Sequence, residues 1–202
     1  ASIASSNSLC TLVGFIKPLS NISSNWSSEY CLPPCIVGTL IHLPLYSKVV
    51  DFSDTILIGI QPRGKFLAQR LSTLLKEDYN IQSIQVGYLD ITFFRDDFRR
   101  GDKTLEANKT EIDFVVEDKK VVFIDDVLYT GRSIRAALTA IQSFGRPSEI
   151  ELLTLIDRRF SRHLPIQPDY RGRQVDAINN EKVIVKWKEN EGEDLVLIEV
   201  KK

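Results

Sequence analysis

The chain has 202 residues, 43% of them hydrophobic and 26% charged, which suits one globular domain of ordinary size, or one domain plus an appendage, and excludes a fibre or a wholly disordered chain. Lys plus Arg total 26 against 27 for Asp plus Glu, so the net charge of −1 gives no global attraction for a polyanion; any phosphate or nucleic-acid site must come from local clustering. Two histidines (His42, His163) and three cysteines (Cys10, Cys31, Cys35) leave almost no soft-ligand set for a zinc ion.

The first fifty residues differ from the rest. They hold three charged side chains, Lys17, Glu29 and Lys48, all three cysteines, and nine serines within the first thirty positions. Residues 1–53 read as an atypical Ser-rich leader, disordered or processed, ahead of a domain over 54–202. The apolar run 9–16 is too short to cross a bilayer and has no basic flank. No membrane partner is expected, and the expected location is the cytoplasm. The alternative is an organelle, with the leader as a transit peptide, although no arginine precedes Arg63. Asn21-Ile-Ser23 and Asn25-Trp-Ser27 match glycosylation sequons, and Cys31-Leu-Pro-Pro-Cys35 is one residue too long for a redox pair.

From Thr55 the pattern is α/β. Thr55-Ile-Leu-Ile-Gly-Ile60 is an unbroken apolar run, as a strand buried on both faces requires. Phe66, Leu67, Arg70, Leu71, Leu74 and Leu75 recur at helical spacing and predict an amphipathic helix over 64–77. A second strand is expected over 84–94, then a charge-rich stretch, 95–113, whose lack of core periodicity reads as a mobile loop or lid. Val121-Val-Phe-Ile124 is the next buried strand. Ile134, Ala137, Leu138 and Ile141 line a helix that Gly145 is placed to end, and a further strand covers 149–156. Residues 181–187 and 194–200, around Glu189-Asn-Glu-Gly192, read as a terminal hairpin. This order predicts an α/β fold: a mostly parallel sheet flanked by helices, with a C-terminal hairpin, and ligands beyond the carboxyl ends of the strands.

The segment richest in chemistry is Val121-Val-Phe-Ile-Asp-Asp-Val-Leu-Tyr-Thr-Gly-Arg-Ser133. A strand delivers Asp125 and Asp126 at its carboxyl end, and the chain turns through Thr130-Gly131 into a helix. Unpaired N–H groups at the start of that helix, with its dipole, form a seat for a phosphate dianion. Thr130 adds a hydroxyl, and Gly131 permits close backbone approach. Two adjacent carboxylates would repel a bare phosphate, so they suit sugar hydroxyls or a hydrated Mg²⁺. The combination points to a phosphorylated ribose, whereas the Asp-Asp dipeptide alone would read as a surface turn with helix-capping duty. Gly59-Ile-Gln-Pro-Arg-Gly-Lys65 imitates a nucleoside-triphosphate loop, but Phe66 has no hydroxyl for Mg²⁺ where Ser or Thr is required.

These thirteen residues resemble the 5-phosphoribosyl-1-pyrophosphate (PRPP) motif of type I phosphoribosyltransferases. The form Asp-Asp-Val-Leu-Tyr-Thr-Gly-Arg resembles in particular the branch that combines uracil phosphoribosyltransferase activity with attenuation of pyrimidine operons. The similarity continues through Ile58-Gly-Ile-Gln-Pro-Arg-Gly64, Gly87-Tyr-Leu-Asp-Ile-Thr-Phe-Phe-Arg-Asp-Asp97, Phe144-Gly-Arg-Pro147, Leu155-Ile-Asp-Arg158, Leu164-Pro-Ile166 and Asp169-Tyr170, in the same order, over about 54–202. The resemblance implies the type I phosphoribosyltransferase fold, conversion of uracil and PRPP to UMP and pyrophosphate, a need for Mg²⁺, and a homo-oligomer. It makes Asp125 and Asp126 the holders of the ribose hydroxyls and, indirectly, of the metal. Val127, Leu128, Tyr129, Thr130, Gly131, Arg132 and Ser133 embrace the 5-phosphate. Pro62, Arg63 and Gly64 match the pyrophosphate loop, with Pro62 in place of a family threonine.

Arg95 is expected to close over PRPP, so Asp125, Asp126, Arg63 and Arg95 form the expected catalytic set. Tyr129 stands where purine-using relatives tend to carry an acidic residue, which favours a pyrimidine. Ile156, with Arg146 nearby, is expected to meet the uracil edge. The resemblance also raises an mRNA stem-loop as a partner, with Arg158 and Arg162 as RNA-binding candidates in a locally basic stretch. Two departures bear on that partner: Arg159-Phe-Ser-Arg-His163 is one residue longer than the family pattern, and residues 1–53 contain no counterpart of the family's amino-terminal helix. The alternative to the enzyme is an RNA-binding or nucleotide-sensing regulator with little or no catalytic turnover.

Overall fold

The structure, a computed structural model, describes residues 29–30, 45, 52–96, 107–177 and 181–200. Its elements are β1 (Glu29–Tyr30), β2 (Thr55–Ile60), α1 (Gly64–Tyr79), β3 (Gln85–Leu89), a 3-10 turn (Thr92–Phe94), β4 (Lys120–Leu128), α2 (Arg132–Ile141), β5 (Glu149–Arg158), β6 (Tyr170–Val175), β7 (Glu181–Lys186), α3 (Lys188–Glu191) and β8 (Leu195–Val200). The sequons, the cysteine pair, the apolar run 9–16 and the middle of the expected lid, 97–106, lie outside the described residues.

Five strands form one parallel sheet in the order β3-β2-β4-β5-β6. β2 is buried along its whole length, as its apolar run requires. Alternate residues of β4 serve opposite cores: Val122 and Ile124 pack with Leu67, Leu71 and Leu75 of α1, while Val121 and Phe123 pack with Ile134, Ala137 and Ile141 of α2. Each large side chain so buried contributes about 1.5–3 kcal/mol. Because each crossover helix returns antiparallel to its strands, the strand carboxyl ends and the helix amino termini gather at one edge of the sheet.

Three local features depart from the sequence expectations. The strand expected over 84–94 ends at Leu89, because the Asp90 carboxylate accepts the Thr92 N–H and hydroxyl at 3.3 and 2.7 Å and winds the chain into the 3-10 turn. The far side of the loop expected over 95–113 is anchored, since Tyr88 and Glu111 exchange backbone hydrogen bonds at 2.9 and 2.8 Å. β6 forms an edge strand in which Tyr170 alone is buried, so its sequence shows no apolar alternation.

The C-terminal hairpin is present. β7 and β8 pair antiparallel from Glu181 opposite Val200 to Lys186 opposite Leu195, and β1 adds against β8. The hairpin docks on α1. Trp187 is buried, its ring 6.3 Å from that of Phe66 and 4.9 Å from the Arg70 guanidinium. Arg70 donates to Glu189 at 2.9 and 2.7 Å and to Asp194 at 2.6 Å, tying α3 and the chain just after it to α1. Among the described residues no helix is long and apolar enough to cross a membrane.

Candidate functional site

The carboxyl end of β4, the turn after it and the first turn of α2 enclose a cavity of about 340 Å³. Of the expected site residues, Arg95, Asp125 and every residue from Val127 to Ser133 line it, joined by Ile134. Gly131 makes the turn possible with φ +90°, a conformation that favours glycine, and an added Cβ would lie 3.2 Å from Ile166 Cδ1. No side chain caps α2 at Gly131, so apart from a 3.5 Å contact between the Arg132 N–H and Thr130 Oγ1 the first-turn donors are available to an anion.

The two carboxylates are oriented by their own backbone. Asp125 Oδ1 accepts the Asp126 N–H at 3.0 Å, and Asp126 Oδ1 accepts the Val127 N–H at 2.8 Å. Burial, and then the charge of Asp126, push the Asp125 carboxyl well above the ordinary carboxylate range. Burial raises Asp126 as well, opposed by the charge of Arg63, while Arg95 opposes the rise at Asp125. Ionising both is therefore unfavourable, and a ligand that brings hydroxyl donors or positive charge relieves the pair.

Arg63 reaches this pair from the turn before α1. Gly64 brings it there: a Cβ on Gly64 would lie 2.2 Å from the Ile124 carbonyl oxygen and 3.3 Å from Asp125 Cα, so only a glycine lets α1 start against the end of β4. Pro62, exposed and joined to Gln61 by a cis peptide bond, completes the turn, and the Gln61 side chain donates to the Lys109 carbonyl at 2.7 Å. The guanidinium of Arg63 is held by the hairpin, Nη1 donating to the Val185 carbonyl at 2.7 Å and Nη2 to Glu191 Oε1 at 3.1 Å. Lys65, of the nucleotide-loop lookalike, points instead over the Tyr88 ring at 4.5 Å and toward Glu111 at 3.4 Å.

Arg132 lines the cavity, and its guanidinium grips Asp96, with Nε at 2.8 Å and Arg135 adding a 2.6 Å bond. Hydrogen bonding, first from Arg132, holds the Asp96 carboxyl down at about 2. Tyr129 is braced by two arginines. Arg158 lies 3.9 Å from its ring centroid and donates to the Glu181 carbonyl at 2.8 Å; Arg162 donates to the Tyr129 carbonyl and, at 2.5 Å, to buried Asp157.

Three expected placements are corrected. Arg158 is 4% exposed, and Arg162 is half-buried between Tyr129 and Asp157, so their guanidinium groups serve the turn and not an outer basic face. The exposed cations of that stretch are Arg159, Arg171 and Arg173. Arg146 follows α2 and precedes β5, where Asp118 and Glu117 bond its backbone, and thus lies at the edge of the sheet opposite the cavity. Ile156, with its side chain wholly buried, pairs with Val127, which lines the cavity, and with Arg173, and β5 runs two residues further than its apolar pattern. Two contributors escaped the sequence reading. Asp157, like Asp125, is a carboxylate near a strand end, a signal that was available; Glu191 meets Arg63 from 128 positions away, with no local signal at all.

The chain matches the family described as phosphoribosyl transferase domain over residues 45–190. It is 45% identical over 163 residues to the bifunctional protein PyrR of Pediococcus pentosaceus, a match covering 80% of this chain and 91% of that protein. To the bifunctional protein PyrR of Enterococcus faecalis it is 39% identical over 160 residues, covering 79% and 88%. A solved hypoxanthine phosphoribosyltransferase from Staphylococcus aureus is similar with a TM-score of 0.56 at 19% identity, over 83% of this chain and 85% of that one, a likeness of fold.

Proposed function

Since this chain belongs to the phosphoribosyltransferase family, we propose that it transfers the phosphoribosyl group of PRPP to uracil, giving UMP and pyrophosphate. The observation that carries this reading is the meeting of Asp125 and the loop Val127–Ser133 around one cavity, with Asp126 and Arg63 beside it. The α2 amino terminus and Thr130 seat the 5-phosphate. Asp125 and Asp126 accept hydrogen bonds from the ribose hydroxyls, and their negative charge favours the oxocarbenium-like ribosyl centre that forms as the pyrophosphate bond breaks. Arg63 and Arg95 take up the charge developing on the leaving group. Tyr129 in place of an acidic residue supports a pyrimidine base over a purine.

Mg²⁺ belongs to the same reading. Among the described residues no group of three or more His, Cys, Asp or Glu side chains could cage a metal, whereas Asp125 in the cavity with Asp126 beside it suits an ion that shares its remaining ligands with PRPP. Asp125 and Asp126 would hold it through the ribose hydroxyls, and it would supply partial neutralisation of the pyrophosphate. Incubation with PRPP, Mg²⁺ and each of uracil, hypoxanthine and orotate tests the proposal. UMP from uracil alone is expected; product from hypoxanthine but not uracil refutes the base assignment, and PRPP binding without any product favours a nucleotide sensor.

The word bifunctional in the relatives' name favours a second reading beside the first, in which the chain also binds an mRNA stem-loop. Exposed Arg159, Arg171 and Arg173 are the cations for it. Binding to a structured RNA that falls steeply with salt, and weakens in Arg171→Ala with Arg173→Ala, is the expected result; salt-independent or unaltered binding counts against it.

A further inference from the structure

We infer that Glu191, on the C-terminal hairpin, is a positioning residue for Arg63 and thereby sets the protein's grip on the pyrophosphate end of PRPP; the inference rests on the reading of the site given above. Arg63 leaves the start of α1 and meets two hairpin acceptors, the Val185 carbonyl at 2.7 Å and Glu191 Oε1 at 3.1 Å. Two nitrogens fixed in direction define the plane of a rigid guanidinium.

Glu191 is itself pinned. Its Oε2 accepts the Trp187 N–H at 3.0 Å, closing α3 onto the residue that precedes it. Trp187 is 2% exposed and packs against Phe66 and Arg70 of α1, and Arg70 clasps Glu189 and Asp194 on either side of Glu191. A carboxylate held at both oxygens, on a turn anchored by a buried tryptophan, is a fixed point and not a wandering surface side chain. The Arg63–Glu191 pair is too exposed, at 37% and 34%, to matter much to folding. Its consequence lies in the ligand site.

A guanidinium carries five N–H donors. The hairpin engages two at Arg63, which leaves Nε–H and one hydrogen on each Nη for the oxygens of a pyrophosphate. Preorganisation of that fork lowers the entropy lost on binding and aims it where leaving-group charge develops. Without Glu191 the guanidinium pivots about its remaining bond to Val185 and is drawn by the charge of the Asp126 carboxylate.

The test uses the full chain with Glu191→Ala and Glu191→Gln. Titration calorimetry with inorganic pyrophosphate and, separately, with UMP is combined with kcat and KM for PRPP and with thermal unfolding. In Glu191→Ala, pyrophosphate binding is expected to weaken roughly 3- to 10-fold and KM for PRPP to rise by a similar factor, with UMP affinity unchanged and the melting temperature lowered only slightly, through loss of the acceptor for the Trp187 N–H. Glu191→Gln, which keeps an acceptor, is expected to fall between. Unchanged or tighter pyrophosphate binding overturns the inference, tighter binding meaning that Glu191 competes for the guanidinium. Equal losses for pyrophosphate and UMP with a lowered melting temperature also overturn it, in favour of a merely structural contact. If the unsubstituted protein binds neither pyrophosphate nor PRPP, the reading of the site itself has failed and the inference falls with it.

Discussion

Replacing Gly64 with alanine perturbs stability and chemistry through one atom. The added Cβ would stand 2.2 Å from the Ile124 carbonyl oxygen, about 0.8 Å inside the 3.0 Å approach that real Cβ atoms essentially never breach. The neighbour is backbone of a central strand, paired on both sides by β2 and β5, so no side chain can swing aside. Relief requires α1 to lift from β4. Overpacking of this kind is destabilising by about 1–3 kcal/mol, with the upper end apt for a backbone obstacle, and alanine's better helix propensity returns up to about 1 kcal/mol. The net is a loss of about 2 kcal/mol, or roughly 4–8 °C in melting temperature for a domain of this size. Because Arg63 immediately precedes Gly64, the lift also carries the guanidinium from the carboxylate pair, and a displacement near 1 Å can lower catalytic efficiency by up to about 100-fold. Thermal unfolding followed by steady-state kinetics with PRPP and uracil measures both effects. Gly145→Ala is the control: it meets Glu117 N at 2.9 Å with φ +138°, at the opposite edge of the sheet, so it lowers the melting temperature and leaves KM for PRPP unchanged. A Gly64→Ala protein with unchanged melting temperature and unchanged KM would falsify the packing argument.

Asp125→Asn with Asp126→Asn is expected to reduce PRPP use steeply while leaving the fold intact. Burial raises both carboxyls above their unfolded value of 3.8, so the stability present at acid pH is lost as pH rises from that value through the raised folded values. The unliganded Asn variant is therefore more stable than the unsubstituted protein at neutral pH, with a gap that closes toward pH 4 in denaturant titrations; a pH-independent gap contradicts the burial argument. Arg70→Ala removes the clasp on Glu189 and Asp194 and is expected to destabilise by about 1.5–3 kcal/mol. Both carboxyls sit below their ordinary values, Glu189 chiefly through its hydrogen bond to Arg70 and Asp194 despite its burial, so this loss shrinks as pH falls through those depressed values; an equal loss at acid and neutral pH argues against it. Arg162→Ala leaves Asp157, 3% exposed, without its closest cation and frees the Tyr129 carbonyl. Unfolding free energy is expected to drop by about 3 kcal/mol, with a rise in KM for PRPP; full retention of both shows the brace to be idle.

What the linear chain determined by itself is what neighbours in sequence determine. β2 and the first half of β4 are legible because strands buried on both faces must be continuously apolar, and α1 and α2 because one face must be apolar at a period of 3.6. The carboxylate pair and the glycine turn after it were legible for the same reason: strand end, Asp125, Asp126, Thr130 and Gly131 are contiguous. β6 was hidden because an edge strand with one buried residue carries no alternation. Arg146 looked near the base in sequence, yet a crossover helix ends at the edge away from the strand carboxyl ends. Arg158 and Arg162 have the composition of a solvated basic face, and only the meeting of β5 with Tyr129 and Glu181 buries the one and engages the other. The same holds for Arg63 and Glu191, 128 positions apart, whose pairing depends on Trp187 docking the hairpin against α1. Periodicity records which face a residue turns to the core; which distant element waits on that face is settled only when the layers pack and the long side chains find partners across them.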